Sequence, residues 1–100
     1  MVAVPDLARD AVIRQMREAI IDNDLRLLAA VNRRIELVAR LRAYKREQDV
    51  EFVDQAREEW MHTYVRGANP GPLSDEGLRA IYDDVLELTK RETGETGAAG

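Results

Sequence analysis

The stretch MREAIIDNDLRLLAAVNRRIELVARLRAYK, residues 16–45, contains neither proline nor glycine, and the chain is equally uninterrupted upstream to Asp6. Its apolar side chains recur at intervals close to multiples of 3.6, which is the period of one helix face. The positions that set this period are Ile13, Met16, Ile20, Leu27, Leu28, Val31, Ile35, Val38 and Leu41. The pattern predicts a helix from Asp6 to about Tyr44.

The length of this helix has a consequence for assembly. It would extend about 57 Å at ~1.5 Å per residue, whereas a compact domain of this size has a radius of gyration of about 13 Å. Either the helix kinks, or it pairs with a second copy of itself. We favour pairing, because nothing in the segment marks a break. The sequence therefore predicts a homodimer.

The rest of the chain predicts two shorter helices and no strand. After a polar connection at residues 46–50, a second helical pattern is set by Phe52, Val53, Ala56, Trp60, Tyr64 and Val65. Residues 66–73, RGANPGPL, contain two glycines and two prolines and predict a loop. Ser74 has the position of an N-cap, and a third apolar helix face follows at Leu78, Ile81, Tyr82, Val85, Leu86 and Leu88. We expect an all-α fold in residues 1–93, intertwined as a homodimer, and a disordered tail at 94–100.

Composition narrows the class of protein. The chain has 100 residues, a net charge of −4, 45% apolar residues and no cysteine. The acidic balance disfavours nucleic acid and acidic membranes as partners, and any anion site must be local. The lack of cysteine excludes disulfides, thiolate chemistry and cysteine-ligated zinc. No targeting or membrane-spanning segment is recognisable, so a soluble cytoplasmic protein is expected.

Three cations on the long helix have informative spacing. Arg34 and Lys45 are eleven residues apart, which places them within about 20° of the same face. Arg17 lies about 25 Å from Arg34 along the helix, too far for both to hold one small ligand in a single chain. In an antiparallel dimer, however, Arg17 of one chain approaches Arg34 and Lys45 of its partner. Two equivalent cationic pockets are then expected.

A second charged group opens the second helix. Asp54, Arg57 and Glu58 stand at positions i, i+3 and i+4, so their side chains can point in one direction. The alternative is a simple intrahelical Asp54–Arg57 pair on a solvated surface. Together with the cations and with Thr89 on the third helix, the group suits a small dianion that carries a hydroxyl.

Other chemistries find little support. His62 is the only histidine and has no metal-binding pattern beside it, so no metal is expected. Ser74 is the only serine, and no histidine stands at the spacing of a catalytic triad. The glycines match no phosphate-binding loop, and no cofactor is expected.

Residues 12–93 resemble the all-α chorismate mutase family, the AroQ class. The resemblance rests on residues 16–45, with Arg17, Asp24, Arg34 and Lys45 at the family's spacing, followed by VDQARE at 53–58. It implies an intertwined helical dimer that converts chorismate to prephenate, the branch step toward phenylalanine and tyrosine.

The resemblance also implies roles for individual side chains. Arg34, with Arg17 from the other chain, would hold the substrate carboxylates, while Lys45 would contact a carboxylate and the ether oxygen. Glu58 would bind the ring hydroxyl with help from the Asp54 backbone. Arg57 and Thr89 would lie on the carboxylate side.

One position departs from the family pattern. Where the family places Gln or Glu against the ether oxygen, this chain has Thr93, with Glu92 one residue earlier. Glu92 would have to be protonated to donate a hydrogen bond, because an ionised carboxylate only accepts.

Two rival functions stay open at this point. One is an isochorismate pyruvate-lyase of the same fold, and the other is a non-catalytic helical dimerisation or regulatory module. A partner enzyme of the same pathway that activates the site is also compatible with the sequence.

Overall fold

The computed structural model describes residues 7–51 and 54–94. Within these ranges the chain forms three α-helices and no strand: α1 (Leu7–Glu47), α2 (Gln55–Ala68) and α3 (Asp75–Glu92). The predicted all-α class, with one long and two shorter helices, is therefore confirmed. Phe52, Val53 and the predicted tail beyond Gly94 lie outside the described residues.

The chain divides into two compact units between Arg33 and Arg34, a boundary that lies inside α1. The first unit contains the N-terminal part of α1. The second contains the C-terminal part of α1 together with α2 and α3, and it holds all the predicted site residues except Arg17.

Helix α1 continues to Glu47, three residues beyond the predicted end near Tyr44. The segment from Lys45 to Glu47 consists of good helix formers, so nothing stops the helix there. The helix ends where Asp49 adopts a left-handed conformation, with φ of 56°. The N–H of Val50 donates to the carbonyl of Lys45 at 2.8 Å, and the N–H of Asp49 donates to that of Arg46 at 3.2 Å. This is a Schellman cap, with aspartate at the position that glycine usually occupies.

Side-chain caps fix the ends of the shorter helices. Asp54 caps α2 by accepting a hydrogen bond from the backbone N–H of Arg57 at 3.1 Å, and Ser74 caps α3 as predicted, accepting from Gly77 at 3.0 Å. The prediction that the loop starts at residue 66 was wrong, because α2 runs to Ala68. Asn69 is the C-cap of α2 and is extended, since the residue before a proline is disfavoured in the helical conformation.

Helices α2 and α3 contact each other through a mixed polar and apolar face. His62 Nε2 lies 3.1 Å from Asp83 Oδ1, and the His62 ring meets Tyr82 edge-on at 5.3 Å. Trp60 and Tyr64, which set the helical period of α2 in the sequence, do not face α3 in the single chain. They are stacked on each other and are 51% and 57% exposed, because α2 turns Glu58, Met61 and His62 inward instead.

Burial within the single chain is slight. Among the described residues, Thr89 is the only buried one, with 2% of its surface exposed. None of the apolar residues in this part of the chain is buried. Ile81, expected on the packed face of α3, is 54% exposed. In residues 7–51 and 54–94 no helix combines the length and the apolar character needed to cross a membrane.

Candidate active site

A cavity of about 240 Å³ lies inside the second unit, between the C-terminal part of α1, helix α2 and helix α3. It is smaller than the ~300–1,000 Å³ typical of pockets for drug-sized ligands, so it suits a small molecule. Apolar and polar side chains line it together. They are Arg34, Val38, Leu41, Lys45, Asp54, Arg57, Glu58, Met61, Tyr82, Leu86, Thr89 and Lys90.

The charges in this lining favour an anionic ligand. Four cationic side chains face two carboxylates, so the lining carries a net positive charge of two although the whole chain is acidic. Arg34 and Lys45, which the eleven-residue spacing placed on one face of the helix, both belong to it. The apolar side chains around them lower the local dielectric, which strengthens the attraction for a bound anion.

The Arg34 guanidinium is held by Thr89. Its Nη1 donates to Thr89 Oγ1 at 2.6 Å, and the same hydroxyl donates to the carbonyl of Val85 at 2.7 Å. Because Thr89 is almost fully buried, this chain of hydrogen bonds fixes one edge of the guanidinium. The Thr89 hydroxyl proton is thus directed at the backbone of α3, whereas the sequence-based prediction assigned the hydroxyl to a ligand carboxylate.

Asp54 and Arg57 both line the cavity, and their mutual contact is a helix cap, not the side-chain pair that the sequence offered as the alternative. The Asp54 carboxylate accepts from the Arg57 backbone as a helix cap. The Arg57 guanidinium carbon lies 4.8 Å from the centre of the Trp60 ring, a cation–π distance. The sequence suggested a side-chain pair because it could not show where the helix begins.

The cavity contains an ion pair between α2 and α3. Lys90 Nζ lies 2.8 Å from Glu58 Oε1, and the two side chains are 32% and 24% exposed. Glu58 was predicted as a site residue, whereas Lys90 was missed. A signal for it exists in the sequence: Tyr82, Leu86 and Lys90 follow one another at intervals of four, so Lys90 continues the inward face of α3.

Three predicted residues are not among those that line the cavity. Arg17 belongs to the first unit and is exposed there. Glu92 is the exposed last residue of α3, and Thr93 is the C-cap, whose hydroxyl donates to the Thr89 carbonyl at 2.7 Å. The Arg42 guanidinium also donates to the Thr93 carbonyl at 2.9 Å, a contact that sequence reasoning missed. The predicted roles of Arg17, Glu92 and Thr93 stay predictions.

The three helices and the cavity define an all-α protein whose cavity lining carries a net positive charge. Residues 16–93 match the family described as chorismate mutase type II, and the chain belongs to that family, the AroQ class. A comparison with curated proteins finds no match.

Proposed function

We propose that this chain is a chorismate mutase, which rearranges chorismate to prephenate in the biosynthesis of phenylalanine and tyrosine. The observation that carries the proposal is that Arg34, Lys45, Arg57 and Glu58 line one small cavity of net positive charge. Chorismate is a dianion with a ring hydroxyl and an ether bridge. Cations suit its carboxylates, and a carboxylate acceptor suits its hydroxyl.

The reaction breaks a C–O bond and forms a C–C bond within one molecule, so it requires no nucleophile and no base. The site must hold the flexible substrate in its compact reactive conformation, which removes much of the entropic barrier. Arg34, held by Thr89, is suited to fixing a carboxylate in one orientation. Lys45 is proposed to face the ether oxygen, where negative charge grows as the C–O bond breaks.

We further propose that the active form is a homodimer that brings Arg17 of the partner to the cavity. On α1 the side chains of Met16, Ile20 and Leu27 are 63%, 60% and 60% exposed in the single chain. Ile21 and Leu28 are 56% and 57% exposed, and each lies about 100° around the helix from its neighbour. An apolar surface this wide needs more than one covering helix, as an intertwined partner would provide.

The test of the proposed function is an assay of the purified chain with chorismate and, separately, with isochorismate. Loss of chorismate with formation of prephenate is the expected result. Release of pyruvate and salicylate from isochorismate, without prephenate formation, would identify the lyase instead. If neither substrate is consumed by a folded dimer, the chain is a non-catalytic helical module.

Replacing Thr89 with valine is expected to lower kcat/KM by roughly tenfold, because the Arg34 guanidinium loses its buried acceptor while the shape of the side chain is kept. A hydrogen bond to a charged group contributes about 1.5–3 kcal/mol, and ~1.4 kcal/mol corresponds to a factor of ten. Steady-state kinetics on T89V measure the effect. T89S, which retains the oxygen, is the matched control and should keep most of the activity; equal losses in both variants would contradict the role.

We propose that Glu92, after a small shift of the last turn of α3, supplies the second hydrogen bond to the ether oxygen. A carboxylate only accepts hydrogen bonds, whereas the amide of glutamine also donates them. The E92Q variant is therefore expected to rearrange chorismate faster than the wild type, which steady-state kinetics on both proteins measure. An unchanged rate in E92Q would exclude this role for Glu92.

A further inference from the structure

The ion pair between Lys90 and Glu58 has no role in the site as described so far. Lys90 comes from the last turn of α3, and Glu58 comes from the first turn of α2. Their charged atoms are 2.8 Å apart, both side chains line the cavity, and each is mostly shielded from solvent. The pair therefore places one full positive and one full negative charge side by side at the wall of the cavity.

Such a pair recognises a particular chemical group. The ammonium of Lys90 only donates hydrogen bonds, and an ionised Glu58 carboxylate only accepts them. A ligand hydroxyl does both, so it can donate to Glu58 and accept from Lys90 at the same time. A ligand carboxylate would be repelled by Glu58. A C–H group would displace water from both charged side chains and form no hydrogen bond to either of them.

We propose that Lys90, together with Glu58, determines specificity for a substrate that carries a free secondary hydroxyl on its ring. The inference rests on the proposed function, since it takes the ligand of this cavity to be chorismate. It adds to that function a residue from α3 that donates to the hydroxyl oxygen while Glu58 accepts the hydroxyl proton. It also gives a reason for the position of Lys90, a cation that lies next to Thr89 on the inward face of α3.

The alternative is that the pair only ties α2 to α3. A partly exposed ion pair contributes little to stability, so this role would give Lys90 a small effect on folding and no effect on the choice of substrate. The two roles differ in a property that can be measured: the preference for chorismate over an analogue in which hydrogen replaces the ring hydroxyl.

The experiment compares kcat/KM for these two compounds in the wild type, K90M, K90R and the control R91M. Arg91 is exposed and is not among the cavity-lining residues, so R91M removes one positive charge from the same turn of α3 without touching the site. We expect K90M to lose roughly tenfold or more of kcat/KM on chorismate and less than about twofold on the analogue. K90R should recover part of the preference, and R91M should retain all of it.

Equal losses on both compounds in K90M, or no loss on either, would overturn the inference while leaving the proposed function standing. Circular dichroism and sedimentation check that each variant is folded. If K90M does not fold, the preference for chorismate over the analogue is compared between K90R and the wild type instead. If the wild type converts neither compound, the proposed function itself fails, and the inference fails with it. If the wild type converts both equally well, the hydroxyl is not recognised and the inference is wrong.

Discussion

Replacing Lys45 with alanine is expected to lower kcat by about two to three orders of magnitude while leaving the helices intact. A preorganised group that stabilises charge developing in the transition state is typically worth about 3–4 kcal/mol, which corresponds to this range of rates. Lys45 is half-buried and lines a cavity with apolar side chains, where such an interaction is strongest. Steady-state kinetics with chorismate give the effect directly.

The fold should tolerate the change for a local reason. The cap of α1 uses the backbone carbonyl of Lys45, which accepts from Val50 at 2.8 Å, and alanine keeps that carbonyl. Alanine is also the best helix former. The matched control is R46A, which removes the neighbouring cation from the same turn of α1 but does not affect the cavity lining. A K45A variant with near-normal kcat, or an R46A variant with the same loss as K45A, would contradict the proposal that Lys45 stabilises the charge developing in the transition state.

The sequence predicted the fold class because helical periodicity is a local property. The long apolar pattern of α1 and the Ser74 cap of α3 both depend on residues within a few turns of each other, and both appear in the structure. The boundaries that failed depended on conformations that the residue types do not determine. Asp49 accepts a left-handed φ and so allows α1 to reach Glu47. Gly67, which was predicted to lie in the loop, adopts the helical conformation, so α2 continues to Ala68 and Asn69 is its C-cap.

The lining of the cavity was predictable where its residues share one helix. The spacing of Arg34 and Lys45 along α1 is enough to place them on one face, and the cavity lining contains both. Lys90 was not found, because its pairing with Glu58 depends on how α2 and α3 pack, and that packing is set by contacts such as His62 with Asp83. The same limit explains Trp60: a helical period alone does not tell which face of a short helix is turned inward.

Mixing the inactive variants R17A and K45A is expected to restore about a quarter of the wild-type activity. If Arg17 serves the partner's cavity, a heterodimer has one cavity that lacks both side chains and one that is complete. The complete cavity takes Lys45 from the R17A chain and Arg17 from the K45A chain. Random reassociation of equal amounts yields about half heterodimers, each with one working site of two, which gives the quarter.

The experiment requires real exchange of subunits, because the helices of the proposed intertwined dimer would separate slowly. Two affinity tags and joint refolding from denaturant allow the heterodimer to be purified and its amount to be known. The control mixes R17A with the double variant R17A/K45A, from which no complete cavity can form, so it should stay inactive. If Arg17 acted within its own chain, every cavity of the R17A and K45A mixture would lack one cation and the pure heterodimer would be as inactive as its parents. Recovery in the first mixture and not in the second can therefore arise only if the site is built from two chains.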